Sequence, residues 1–554
     1  MNDNGQRETA ATLDPFAAFS LIWACTALVH QLAFTFWTES WQGWLLVVAA
    51  IACIVRSNCV LRFTVLVVAS LLNLWHKLPF VPNHILFEGM LHLVMAIGLA
   101  GFFLRREGRE AFAASGEIWK SRLALVLVAV ALKAAYFYLP GLPRGYLLGG
   151  ATTLFLLVAA GRMLFHEASV GNGAVFFHNI APVLRLGLFF TYLWAAIQKL
   201  NHDYLDPEFS CAAKLHTEIA EYFGPLIPTD PWALHAAIWG SFLFELGIPV
   251  LLYIRRTRFI GFIAAVWFHL WLAIHPAAGI FSFSSLILAM LYLFLPVSWD
   301  ERLRELWDAQ LRWIGGGSIA LGRRIAVRFA VAGFFFTLIT QMLLYLLVGR
   351  NYEVFHIANR VGCSAFFVWG GWIGACYLVA GWRGKKFTSR LPNRFRWNWA
   401  CVGLILVVTN GIYPWIGGRT QTSFSMYSNL RSEGPGNHVF LKRIDLLPYQ
   451  EDMVEVVDSE PDILAPANPP RGIQQFANLG HTVMPYFEFR RLVSEMDGDL
   501  EVTYRRNGEL LKLSREEGEI VGDEKAFEPL PLPKRKFLWF RRLANLDGPM
   551  ECTH

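Results

Sequence analysis

Thirteen apolar runs, each long enough or nearly long enough to cross the ~30 Å hydrocarbon core of a bilayer, leave this chain few folds to choose from. They lie at roughly 14–37, 41–55, 62–76, 84–104, 121–139, 146–163, 176–198, 231–253, 259–275, 279–296, 326–348, 362–382 and 398–416. The runs at 41–55 and 62–76 are short, so a re-entrant pair is an alternative to two crossings there. Backbone polar groups in lipid must be satisfied within their own segment, which makes spans helical. Only 17% of the 554 residues are charged and mean hydropathy is +0.39, so lipid rather than water solvates most of the chain. The expectation is an all-α polytopic membrane bundle of about 13 transmembrane helices, with a small C-terminal α+β extracytoplasmic domain.

Charge sets the expected orientation. One set of alternate loops carries Arg105, Arg106, Arg109, Arg255, Arg256, Arg258, Arg323, Arg324, Lys385 and Lys386, among others. The opposite loops carry only Lys77, Arg144, Lys199, Lys214, Arg350 and Arg360. The positive-inside rule makes the first set cytoplasmic. Lys199 and everything after Trp415 then lie outside a multi-pass plasma (inner) membrane, with the N-terminus cytoplasmic. The net charge of +6 is thus a topology signal, and no nucleic-acid partner is expected. Four parts follow: a cytoplasmic tail at 1–13, a transmembrane domain at 14–300, an additional three-helix transmembrane segment at 301–418, and the outer domain at 419–554. Within the last, Leu500–Arg506, Asn507-Gly508 and Glu509–Ser514 read as a hairpin, because Asn-Gly supplies the two positive φ angles of a type I′ turn. Helical spacing is patchy over Ile473–Met496, and Glu460–Pro470 reads as a Pro-rich linker or covering loop. Eight cysteines show no CxxC or Cys/His metal spacing, and whether Cys211, Cys363 and Cys552 on the outer side form a disulfide is open.

Charged and imidazole groups inside spans mark the candidate sites. Lys199 stands at the outer end of its span, where an amine either snorkels to the headgroups or is held for chemistry. Arg185 and Glu245 fall at nearly equal depth on consecutive antiparallel helices, which points to a structural ion pair. His84, Glu88 and His92 recur at i, i+4 and i+8 on one helix face. Neighbours among them could chelate an ion, but no second ligand helix stands out, so no metal is expected.

Lys199-Leu-Asn-His-Asp-Tyr204 resembles the Lys-Leu-Asp-Ala-Asp-Trp stretch of the vitamin K-dependent gamma-carboxylases. The Glu245-x-x-x-Pro249 span, the basic turn Arg255-Arg-Thr-Arg258, Phe268-His-Leu270 and Phe281-Ser282 follow in the order seen in the bacterial-type relatives, the HTTM domain proteins. Asn83-His84 is similar to part of their Asn-Asn-His group. Ser425-Met-Tyr-Ser-Asn-Leu-Arg-Ser-Glu-Gly-Pro-Gly-Asn-His438 resembles a Met-Phe-Ser-Asn-Leu-Arg-Thr-Glu-Gly run of the same proteins. The resemblance implies a membrane enzyme in which Lys199 is the base that deprotonates a reduced vitamin K-type quinone, with His84 as its electrostatic partner. Oxygen then converts the ring to a strong base, which strips a γ-hydrogen from a glutamyl residue before carbon dioxide adds. Asn83, Asn429, Arg431, Asn437 and His438 would bind substrate, and a peptide or protein glutamate would be the partner. The loop carrying the last four is read equally well as a tight turn without function. The chain departs from the family in its three additional spans, its shortened Asn-His group and its short tail. A non-enzymatic protein that binds a quinone or lipid, or a partner through its outer domain, is the alternative.

Overall fold

A computed structural model describes residues 14–33, 40–105, 173–275, 280–348, 352–383, 397–464 and 482–552, with scattered positions between 109 and 155. The expected runs at 121–139 and 146–163 lie largely outside the described residues.

Helices fill the other apolar runs. In chain order they are α1 (Pro15–Ala33), α2 (Trp41–Val55), α3 (Val60–Lys77), α4 (Asn83–Phe103) and α5 (Gly173–Gln198). After α6 (Cys211–Phe223) come α7 (Pro231–Tyr253), α8 (Arg258–Ala273), α9 (Ile280–Leu291) and α10 (Val297–Ile314). The last three are α11 (Ile319–Val348), α12 (Tyr352–Arg383) and α13 (Cys401–Ile412). Seven helices among the described residues are long and apolar enough to cross a membrane, or eight if a bent pair is counted as one span. That is fewer than the thirteen crossings expected. Three apolar helices, Trp41–Val55, Arg258–Ala273 and Cys401–Ile416, are shorter than a full crossing. The bent pair joins Ile280–Phe294 to α10 through 119° at Leu295-Pro296, where the residue before proline is pushed out of the helical region. The core of the bundle is aromatic and aliphatic, centred on Phe16, Phe19, Trp23, Phe63 and Phe177, with edge-to-face rings such as Phe16 on Phe63 at 5.5 Å.

The C-terminal domain holds a five-stranded antiparallel sheet in the order β2-β1-β3-β4-β5. Its strands are β1 (Met453–Glu460), β2 (Thr482–Pro485), β3 (Leu500–Arg506), β4 (Glu509–Glu516) and β5 (Glu519–Val521). The expected hairpin is β3–β4, with Arg506 opposite Glu509 and φ of +53° at Asn507 and +81° at Gly508. Helix α14 (Tyr486–Glu495) packs Phe489 and Val493 onto Val454, Val502 and Tyr504 of the sheet. It lies within the patchy helical stretch Ile473–Met496, and 465–481 lie outside the described residues.

Several ties fix this domain to the bundle. Cys211 at the start of α6 is disulfide-bonded to Cys552 near the C-terminus. Lys536 Nζ donates to the carbonyls of Trp75 (3.1 Å) and Leu78 (2.8 Å) at the end of α3. Gln198 Nε2 donates to Ser423 O at 2.8 Å, and Phe424 N donates to Asn83 Oδ1 at 2.7 Å.

A β-branched residue at Gly508 would be held in a left-handed conformation, at a cost of roughly 1–2 kcal/mol. Gly508→Val is therefore expected to lower the thermal midpoint of the purified chain, and Asn507→Asp, which tolerates the same conformation, to leave it nearly unchanged. Differential scanning fluorimetry reads both.

Candidate functional site: an aromatic cavity at the outer end of the bundle

A cavity of about 410 Å³ opens among α4, α5, α6, α7, α8 and α9 beneath the C-terminal domain. Small residues on one face of α7, among them Ala233, Ala237 and Gly240, leave the space, and a Cβ built on Gly240 meets nothing within 4 Å. Phe244, Trp267, Trp271 and Phe283 supply aromatic walls. Such a mostly apolar space with few polar groups suits a flat apolar ring system.

Lys199 and His84 open onto this one cavity, with Asn83 beside His84. Lys199 follows the last residue of α5, yet it is turned inward and only 4% exposed. Its Nζ donates to Glu245 Oε1 at 2.5 Å, and Nζ lies 5.6 Å from the centroid of the Tyr204 ring. Glu245 is thus paired with Lys199 and not with Arg185, which corrects the expected ion pair. The depth argument placed the cytoplasmic start of α5 at 176, whereas the helix begins at Gly173. Arg185 and Lys199 are 14 residues, about 21 Å, apart along α5, more than a lysine stem spans, so the contact of Lys199 with Glu245 means that α5 and α7 do not begin at one level and the equal-depth premise fails. Arg185 instead donates from Nε to Ala181 O at 3.3 Å and lies beside the Tyr253 phenol.

His84 is anchored by residues that sequence reasoning missed. Its Nε2 is 2.6 Å from Ser282 Oγ at the start of α9. The carbonyl of Ser282 in turn accepts from His30 Nε2 at 2.6 Å. His30 Nδ1 then meets Glu88 Oε2 at 2.5 Å, and His92 Nε2 accepts from Trp23 Nε1 at 2.9 Å. The three-residue face of α4 is therefore split: His84 looks into the cavity, while Glu88 and His92 lock α4 to α1. The signal for His30 and Ser282 was present as polar groups inside apolar runs, which in lipid point at protein.

The four outer-loop candidates are brought together, but away from the cavity. Asn437 Nδ2 donates to Asn429 O (2.7 Å) and Asp203 Oδ2 (2.6 Å), and its Oδ1 accepts from Arg431 N at 2.8 Å. Asn429 Nδ2 bonds Phe209 O and Met550 O at 2.8 Å each, and Arg431 Nη1 bonds Gly548 O at 2.6 Å. His438 Nε2 donates to Ile197 O at 2.9 Å, while its Nδ1 accepts from Phe440 N and Leu441 N. These bonds stitch loop, bundle and C-terminus together. The same loop sends Phe424, Met426 and Tyr427 over the cavity instead.

Two outcomes are expected. Ser282→Ala removes the hydroxyl on His84 but keeps the carbonyl that His30 needs, so it should weaken ligand binding or turnover roughly 10-fold with little change in thermal midpoint. His438 is held below the usual histidine range, chiefly by burial, in a neutral form that both donates and accepts. The unfolded chain then binds more protons, so stability is complete above about pH 6.5 and declines as pH falls below it. Thermal unfolding at pH 7.5 and 5.5 should show the decline, and His438→Asn should flatten it.

Residues 146–299 match the family model of the HTTM domain, a stretch that contains Lys199, Glu245 and Ser282 but not His84. No curated protein and no solved structure matches the chain. The stretch that supplies the lysine, its carboxylate partner and the aromatic walls of the cavity is thus the part of the chain that matches the HTTM domain, within a protein whose apolar helices suit a membrane.

Proposed function

We propose that this chain oxidises a reduced quinone of the vitamin K type at the extracytoplasmic face, coupled to carboxylation of a glutamyl side chain. The observation that carries the reading is the convergence of Lys199 and His84 on one aromatic cavity of about 410 Å³. That volume lies in the range of small-ligand sites, and its walls suit a two-ring headgroup. When bound, the reduced quinone supplies an acidic hydroxyl and the reducing electrons. Lys199 would take the hydroxyl proton as base. His84, held by Ser282, would stabilise the resulting oxyanion, and the buried aromatic walls would exclude water.

The extracytoplasmic placement of the site is supported by the charge asymmetry of the loops and by the Cys211–Cys552 disulfide, since such bonds persist in oxidising compartments. The thirteen-span topology belongs to the same proposal. Carboxylation of a peptide glutamate needs a docking surface for that peptide. The engagement of Asn429, Arg431, Asn437 and His438 in ties between loop and bundle favours a second reading, in which the cavity binds or oxidises the quinone without a peptide acceptor.

Purified protein supplied with a reduced naphthoquinone and oxygen is expected to oxidise it, and Lys199→Ala to lower that rate at least ~100-fold. Binding of the oxidised quinone, read by quenching of Trp267 and Trp271 fluorescence, should persist in the variant. Tight binding with no turnover in either protein would replace the enzyme by the binding protein.

A further inference from the structure

We propose that Glu245 is the positioning residue that keeps the Lys199 amine inside the cavity, an inference that rests on the reading of Lys199 as the base. A lysine just past the end of a spanning helix has a flexible four-carbon stem and a nearby headgroup layer, so its default destination is outward. Here the stem is turned in, and the side chains of Lys199 and Glu245 are only 5% and 14% exposed. The carboxylate that holds the amine sits within α7, where an unpaired charge in lipid is costly.

The pair differs from a purely structural clamp in one respect. A buried carboxylate kept only for stability is expected to satisfy both oxygens. Glu245 Oε1 accepts from Lys199 Nζ, but Oε2 has no hydrogen-bond partner among the described residues. Two phenols lie near enough to feel its charge, and both are engaged elsewhere: Tyr204 with Ser241 Oγ, and Tyr192 with His269 Nε2. Glu245 lines the cavity, so its second oxygen is left for whatever hydroxyl occupies that space.

The test is acylation of Lys199 in the full chain, in lipid nanodiscs, by a membrane-impermeant sulfonated N-hydroxysuccinimide ester, with the site read by peptide mass spectrometry. In the wild type Lys199 should be protected. Glu245→Gln frees the stem, so Lys199 should be acylated at least ~10-fold faster, and Glu245→Asp, one methylene shorter, should fall between. A folded Glu245→Gln protein acylated at Lys199 within about twofold of the wild-type rate would overturn the proposal. Should Glu245→Gln not fold, Glu245→Asp decides by the same comparison. Acylation needs no turnover, so failure of quinol oxidation by the wild type would remove the proposed activity and leave this test standing.

Discussion

The contact between Lys199 and Glu245 organises the half of the bundle that faces the C-terminal domain. An amine and a carboxylate are both costly to place among apolar helices, and each is tolerable there because the other is 2.5 Å away. Their pairing joins the end of α5 to the middle of α7 and sets an amine and a carboxylate side by side in the wall of a mostly apolar cavity. Around it, small residues on α7 provide room, and four aromatic side chains provide the walls. The HTTM match covers this half of the machinery, whereas Asn83 and His84 come from α4, ahead of the matched stretch.

A second polar network serves a different purpose. His30, Glu88, Ser282, His92 and Trp23 hydrogen-bond across α1, α4 and α9, and all five are buried. Its outermost member is His84, so a scaffold that locks three helices also ends at the cavity. The C-terminal domain adds a roof: it is tied through Cys211–Cys552, Gln198 and Asn83, and it lays Phe424, Met426 and Tyr427 over the opening.

Much of this was legible in the chain because lipid imposes strict demands. Apolar runs had to be helices, and among the described residues the helices from Pro15–Ala33 to Cys401–Ile416 begin and end within a few residues of the runs, except where α11 and α12 start earlier. Asn507-Gly508 had to turn, and β3 and β4 flank it. Pairing between helices was harder, since depth along a straight, perpendicular helix was the only guide. The 26-residue α5 is longer than a bilayer core requires and would tilt, which spoils such a comparison and explains why Glu245 was assigned to Arg185. The loop candidates Asn429, Arg431, Asn437 and His438 were recognised as a cluster, but hydrogen-bonding side chains serve a tight fold and a binding groove equally well. Their partners at Phe209, Gly548 and Met550 are distant in sequence and invisible in it.

The central claim is that the cavity beneath the C-terminal domain holds a flat, lipid-borne ring next to Lys199. A photoreactive azido-naphthoquinone, illuminated with the full chain in nanodiscs and mapped by peptide mass spectrometry, tests it most directly. The account predicts label on the cavity faces of α7 and α8, at Gly240–Glu245 and Trp267–Trp271, competed away by excess unlabelled quinone. Label confined to the lipid-facing surface of α11 or α12, or label that excess quinone does not displace, would contradict it.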